Sequence, residues 1–263
     1  MLEHITPVIL TFNEIANIAR TLDKLSWANL IVVVDSGSND GTVEFLQSRD
    51  KIRLYHRVFT THAEQWNFAI KETGITSEWI LSLDADYVLS DELIAEIDGL
   101  VPADTVSACK ARFVYCINGK PLRGSLYPPV NVLFRKGKGE YIQDGHTQKL
   151  FVSGEVKELQ NVVYHDDRKS FKKWLVAQRS YIPLEVKKIL GKKWHELTFA
   201  DRVRKFRVIA PVAVLFYCLI IKGGILDGKA GLYYALQRVT AELLLSINLL
   251  KHDLGLMPSD FDH

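Results

Sequence analysis

Trp79-Ile80-Leu81-Ser82-Leu83-Asp84-Ala85-Asp86 is an apolar run that ends in two carboxylates one residue apart. Its length and its large side chains predict a buried strand whose carboxyl end meets solvent. In extended backbone, residues two apart point to the same side, so Asp84 and Asp86 are expected to face one ligand. Open parallel sheets bind their ligands at that end of the strands. Two acids crowded there repel each other unless they share a cation. Mg2+ or Mn2+ suits carboxylate oxygens and keeps positions open for water and substrate phosphates, so a diphosphate is the natural co-ligand. An isolated Asp-x-Asp reads more readily as a solvated loop, and its neighbours have to decide.

Outward from this run, short apolar stretches at residues 7–12, 30–35 and 52–57 alternate with helical patterns, as at Ile15, Ile18, Leu22 and Leu25. This alternation predicts an α/β fold with a mostly parallel sheet. No G-x-G-x-x-G follows the first stretch and no P-loop sequence occurs, which disfavours dehydrogenases and P-loop enzymes. From about residue 106 the texture turns to β-hairpins: Asn118-Gly119 is a strong turn signal, and 130–134, 149–152 and 161–164 read as strands. From Ser170 the pattern is helical, interrupted at Pro183 and Pro211 and closed by an amphipathic stretch at 232–250.

The chain has 263 residues, 48% of them hydrophobic, enough for a substantial core. Its net charge of +2 conceals an asymmetry: residues 1–100 are strongly acidic and residues 167–229 strongly basic. The acidic part suits a metal, and the basic part suits an anionic membrane surface. No nucleic-acid motif accompanies the basic residues, so no nucleic-acid partner is expected. Between Val208 and Ile221 no residue is charged, and Arg202, Arg204, Lys205 and Arg207 precede the run. Fourteen residues fall short of the ~20 that a spanning helix needs, so an interfacial segment or a buried core helix is expected. The first apolar run carries Asn13 and Glu14, unlike a signal peptide, and the expected location is cytoplasmic, peripheral on the inner face of the membrane. Cys109, Cys116 and Cys218 have no metal-ligand spacing and read as buried thiols.

The first stretch ends Thr11-Phe12-Asn13-Glu14 and the second runs into Asp35-Ser36-Gly37-Ser38-Asn39-Asp40-Gly41-Thr42, so with Asp84 and Asp86 three strand ends offer polar groups to one edge. With these motifs in view the chain resembles glycosyltransferase family 2, whose members share the GT-A fold and use nucleotide-diphosphate sugars. His62-Ala63-Glu64-Gln65-Trp66-Asn67-Phe68-Ala69 and the glycine-rich stretch from Lys222 to Gly231 resemble, within that family, the lipopolysaccharide-core glucosyltransferases. The resemblance implies a base and ribose site lined by Thr11, Asn13, Glu14 and Asp35 with Ser36, Gln65 and Asn67 nearby. It also implies Asp84 on ribose or metal, Asp86 on metal, and a UDP-sugar donor. Each residue has a plainer alternative: Asn13, Asp40 and Thr42 as helix caps, Gln65 and Asn67 as helix-surface residues, and Gly223, Gly224, Gly228 and Gly231 as turn and packing residues.

An inverting transfer needs a base for the acceptor hydroxyl. Gln143-Asp144-Gly145-His146-Thr147-Gln148 offers Asp144 first and His146 second, and Thr147 stands where the resembled branch carries Glu. A turn built on Asp-Gly is the alternative. Tyr87 stands where related sequences often carry an acid. His165 is a candidate third metal ligand, with a hydrogen-bonded structural histidine as the plainer reading. The expected organisation is a GT-A catalytic domain over 1–166, with a nucleotide-sugar half 1–100 and an acceptor-side half 101–166, followed by a basic helical membrane-associating region over 167–263. The expected activity is metal-dependent inverting glycosyl transfer to a lipid-linked or lipopolysaccharide-type acceptor. A sugar nucleotidyltransferase and a catalytically inactive membrane-docking protein of the same fold are the alternatives.

Overall fold

A computed structural model describes residues 1–145 and 147–256. By contact density the chain divides into two compact units. The first comprises Met1–Pro121, Tyr127–Gln143 and Thr147–Lys169, and the second Leu122–Leu126, Asp144–His146 and Ser170–His263.

In the first unit, β1 (Ile5–Thr11), β2 (Ile31–Asp35), β3 (Ile52–His56) and β4 (Trp79–Asp84) are parallel strands in the order β3-β2-β1-β4. The chain walks from β1 to β3 on one side and returns to β4 on the other. The switch point therefore lies between β1 and β4, where Leu10 stands opposite Asp84. Open sheets form their ligand crevice at such a point. Three helices cover these strands: α1 (Ile18–Asp23), α2 (Thr42–Gln47) and α3 (His62–Lys71). Alternation sends Ile9, Val33, Leu81 and Leu83 into one core with Ile18, and Val8, Val32 and Ile80 into another with Trp66 and Ala69 of α3.

The sheet continues through β5 (Tyr87–Leu89), β6 (Val106–Ile117), β7 (Lys120–Pro121), β8 (Val130–Arg135) and β11 (Glu155–His165), in the order β4-β8-β6-β11-β5, with β7 paired to β6. Helix α4 (Asp91–Asp98) precedes β6, and β9 (Gly139–Asp144) pairs with β10 (Thr147–Val152). Asn118 and Gly119 have φ of 50° and 79° in the two-residue β6–β7 turn, as the Asn-Gly signal predicts. The hairpin texture hid two long strands: β6 and β11 are parallel neighbours, brought together across the intervening residues 118–154. Because β8 is antiparallel to both β4 and β6, and β11 is parallel to β6, β11 ends on the same edge as β4.

The second unit holds α5 (Phe171–Gly191), α6 (Phe199–Arg204), α7 (Ile209–Phe216) and α8 (Lys229–Asp253). A π-turn at Tyr217–Ile221 and a 3-10 turn at Gly224–Asp227 connect the last two. Ile182, Val186 and Ile189 pack on Leu245 and Leu249. The glycine-rich stretch is a packing knot. A Cβ on Gly124 would come 2.8 Å from Cα of Gly224, and one on Gly231 would come 1.9 Å from the Gly224 carbonyl oxygen. Asp227 accepts from the backbone N–H groups of Arg123 and Gly124, at 2.8 and 3.2 Å, and so ties Leu122–Leu126 to the knot. Among the described residues no helix is long and apolar enough to cross a membrane.

Candidate active site

Strand β4 stops at Asp84, and Ala85-Asp86 is a turn into β5 rather than an extension of the strand. The same-side argument for an extended Asp-x-Asp therefore gives way to a register argument. β5 runs antiparallel to β11 with Tyr87 opposite His165, and the Asp166 N–H donates to the Asp86 carbonyl at 3.0 Å. That pairing sets Asp86 Oδ2 3.0 Å from His165 Nε2. Burial alone would raise the Asp86 pKa, but the charge and hydrogen bond of His165 and the charge of Lys169 outweigh it and hold the carboxyl below its ordinary range. Burial alone would strip His165 of its proton, and the facing Asp86 and Asp84 raise its pKa instead. Asp84, by contrast, is pushed up to about 6 by burial and by the neighbouring Asp86 charge, while a hydrogen bond from Tyr87 works the other way.

Among the described residues no three His, Cys, Asp or Glu side chains stand together as a ready metal cluster. His165 spends Nε2 on Asp86, and its Nδ1 is buried without a hydrogen-bond partner. Tyr87, Tyr115 and Tyr127 surround the imidazole, with ring centroids 4.7 to 5.2 Å away. In this arrangement His165 orients a carboxylate, as groups behind a metal ligand commonly do. Mg2+ and Mn2+ are bound mostly through one or two carboxylates with substrate phosphate rather than by an all-protein cage. The donor set of Asp84 and Asp86 fits that mode.

At the end of β1 and β2, Asp35 is fully buried. It accepts from Thr11 Oγ1 (2.9 Å), the N–H groups of Gly37 (2.9 Å) and Ser38 (2.8 Å), and Ser38 Oγ (2.5 Å). Four donors on one carboxylate fill the acceptor sites it has. Asp35 thus shapes the loop that carries Ser36. Asn13 is not a helix cap: at φ 57° it braces the two loops, its N–H donating to Ser38 Oγ and its Oδ1 accepting from Asn39 N. Asp40 does bond Thr42 at the start of α2. Gln65 is buried and donates to Ser36 Oγ and the Arg57 carbonyl, while Arg57 donates to its Oε1. Asn67 pairs through both ends of its amide with the backbone of Tyr141, which fixes β9 on α3.

Glu14 was legible in the sequence, but its partner was not. Lys169 donates to Glu14 Oε1 at 2.5 Å, and Asn17 donates to Oε2 at 2.8 Å. Burial and the Asp86 charge raise Glu14 to about 7, and the facing carboxylates raise Lys169 against the effect of burial. Lys169 follows β11 by four residues, and only the strand order brings it to this acidic edge. Tyr127 was missed for the same reason: its hydroxyl bonds that of Tyr87, from a loop with no motif of its own. Asp144 belongs to the second unit, where Lys192 lies 3.1 Å and Lys188 3.8 Å from its Oδ1. His146 lies outside the described residues.

The model of the family described as Glycosyl transferase family 2 matches residues 6–150. A relative called "Lipopolysaccharide core biosynthesis glycosyltransferase LpsC", from Rhizobium meliloti, is 32% identical over 148 residues, 51% of this chain and 51% of that protein. An "Uncharacterized glycosyltransferase" of Rickettsia felis is 35% identical over 98 residues, 37% of this chain and 34% of its own. The matched stretches thus span about half and about a third of those relatives. Among solved structures, S. aureus TarS 1-349 in complex with UDP aligns with a TM-score of 0.44 and 14% identity, over 95% of this chain and 91% of that one. With the expected GT-A architecture and a family model covering more than half of its length, the chain belongs to glycosyl transferase family 2.

Proposed function

We propose that this chain transfers a sugar, with inversion, from a nucleotide-diphosphate donor, a UDP-sugar, to a lipid-linked or lipopolysaccharide-type acceptor at the cytoplasmic face of a membrane. One observation carries the reading: the β5–β11 register holds a charged Asp86–His165 pair beside Asp84 at the topological switch point. Thr11, Asp35 and Ser36 with Asn13 form the loops that receive the nucleoside, and Gln65 and Asn67 hold those loops and β9 in place. Asp84 and Asp86 are the residues to hold Mg2+ or Mn2+. Bound there, the cation supplies charge neutralisation for the departing diphosphate. His165 keeps Asp86 ionised and oriented, and Lys169 adds a protein cation to an otherwise acidic edge. The R. meliloti relative's name supports the choice of acceptor.

Transfer forms a C–O bond from the acceptor hydroxyl to the anomeric carbon as the bond to diphosphate breaks, and the hydroxyl proton passes to a base. We assign that base to the Asp144-Gly145-His146 loop, with Asp144 first. Two lysines already occupy its carboxylate, so the role requires one oxygen to remain available. Residues 1–166 are assigned to catalysis and 167–263 to membrane association.

The test is Asp86→Asn, with calorimetry of UDP plus Mn2+ run beside product formation. We expect cation-dependent UDP binding to weaken by at least about tenfold, the low end of what even outer-shell losses cost, and transfer to collapse. Wild-type binding and turnover in that variant would sink the reading. Asp144→Asn should keep UDP binding and lose about 10²- to 10⁴-fold in transfer.

A further inference from the structure

The turn region between α7 and α8 departs from what a water-facing surface contains. Ile220, Ile221, Ile225 and Leu226 are 61%, 72%, 67% and 70% exposed, four large aliphatic side chains within seven residues. Upstream, Val212 and Phe216 are exposed one turn apart on α7. Along α8 the exposed positions Leu232, Leu236, Leu243, Ile247 and Leu250 recur at helical spacing. The opposite side of that helix buries Ala235, Leu245 and Leu249. A helix at a protein–water boundary carries one apolar stripe and a polar remainder, whereas α8 is apolar on the exposed side as well.

The charges say what covers this surface. From Arg202 to Leu250 the acids are Asp227 and Glu242, and both are turned inward, 4% and 5% exposed. Asp227 accepts the backbone N–H groups of Arg123 and Gly124, and Glu242 is held by the guanidinium of Arg204. Lys222 and Lys229 flank Ile225 and Leu226 and are exposed, with the Lys222 ammonium 5.7 Å from the Tyr217 ring. From Arg202 to Leu250 the exposed face is thus aliphatic and cationic, with no exposed carboxylate. A second copy meeting the same patch through a twofold would set lysine against lysine. Anionic headgroups above a hydrocarbon layer complement both features.

The same geometry reassigns the arginines. Arg204 is largely buried, 2.6 Å from Glu242 and 2.9 Å from Asp201. Arg207 forms two hydrogen bonds to Asp253, at 2.7 and 2.8 Å. Arg204 and Arg207 thus brace the helices, so two of the four cations before Val208 are already paired with carboxylates.

We propose that the Phe216–Lys229 turn region inserts shallowly into an anionic bilayer, with Ile221 and Leu226 as apolar anchors and Lys222 and Lys229 as headgroup contacts. This deepens the reading of a membrane-borne acceptor, and its test is independent of donor chemistry. Flotation of the full chain with vesicles of equal parts phosphatidylcholine and phosphatidylglycerol should carry it upward. Ile221→Asp with Leu226→Asp should weaken partitioning by at least about tenfold, since two exposed aliphatic side chains lose their apolar phase. Circular dichroism and UDP binding should stay unchanged, because both positions are exposed. Lys222→Gln with Lys229→Gln should weaken binding to these vesicles by about tenfold or more and leave the weaker binding to pure phosphatidylcholine unaltered. Three results would overturn the proposal: wild-type chain that stays at the bottom of the gradient, an Asp double variant that floats like wild type, or a lipid-free dimer dissolved by the Asp substitutions, which would give the face to a second copy. UDP binding lost while flotation persists would instead count against the catalytic reading.

Discussion

Two aspartates two residues apart titrate in opposite directions, because Asp86 faces a cation while burial and the charge of Asp86 act on Asp84. Asp86 faces His165 and is held below the ordinary carboxylate range, while burial and the charge of Asp86 push Asp84 up to about 6. The sequence shows both acids, but not this division, since the histidine arrives from residue 165 through strand pairing. A proton on Asp84 competes with any cation there, so loss of binding belongs below the raised pKa and not below the ordinary one. Mn2+-dependent UDP affinity should therefore be flat above about pH 7 and fall by up to about tenfold per unit below pH 6. Tyr87→Phe removes a hydrogen bond that favours the ionised Asp84, so its midpoint should lie above 6. Calorimetry across that pH range checks both; a midpoint near 4, or one unmoved by Tyr87→Phe, would contradict the assignment.

At the scale of elements, β1, β2 and β4 were legible as largely apolar runs between turn signals, as Ile31–Asp35 shows, and β3 as the alternating Ile52–His56. β6 was not, and of β11 only 161–164 was, because Glu155–His165 begins with alternating charges and pairs only with β5 and β6, both far away in sequence. Periodicity reports local burial and is silent on partners. The glycines divide in the same way. The sequence marks Gly231 as a packing residue, but not the Gly224 carbonyl that excludes a Cβ there. Gly231→Ala should destabilise the chain by about 3 kcal/mol or more, since backbone rather than a flexible side chain must move. Gly191→Ala, at the end of α5 with nothing within 4 Å of the added Cβ, should be neutral or stabilise by up to ~1 kcal/mol. Thermal melts of the two variants measure the contrast.

Across the molecule the two units are built on unequal terms. The first buries two extensive apolar cores on either face of a nine-stranded sheet. The second relies on a small apolar cluster of five buried residues, a glycine knot and an inward network of Glu185, Asp201, Arg204 and Glu242. Buried charges recover through pairing only what their desolvation costs, so such a network contributes little net stability beside an apolar core. The second unit should therefore open at lower free energy than the first. The three cysteines report on this without any mutation. All are buried, and burial raises their thiols, Cys109 to about 11, Cys116 to about 12, and Cys218 upward as well. The native chain should react negligibly with a thiol reagent at neutral pH. In mild denaturant Cys218, in the second unit, should be labelled at least about tenfold faster than Cys109 and Cys116 in the sheet. Mass spectrometry of labelled peptides gives the order, and simultaneous labelling of all three would show that the chain opens as one unit. Anionic vesicles should slow Cys218 selectively, because a lipid layer that binds only the closed second unit lowers the population of its open form.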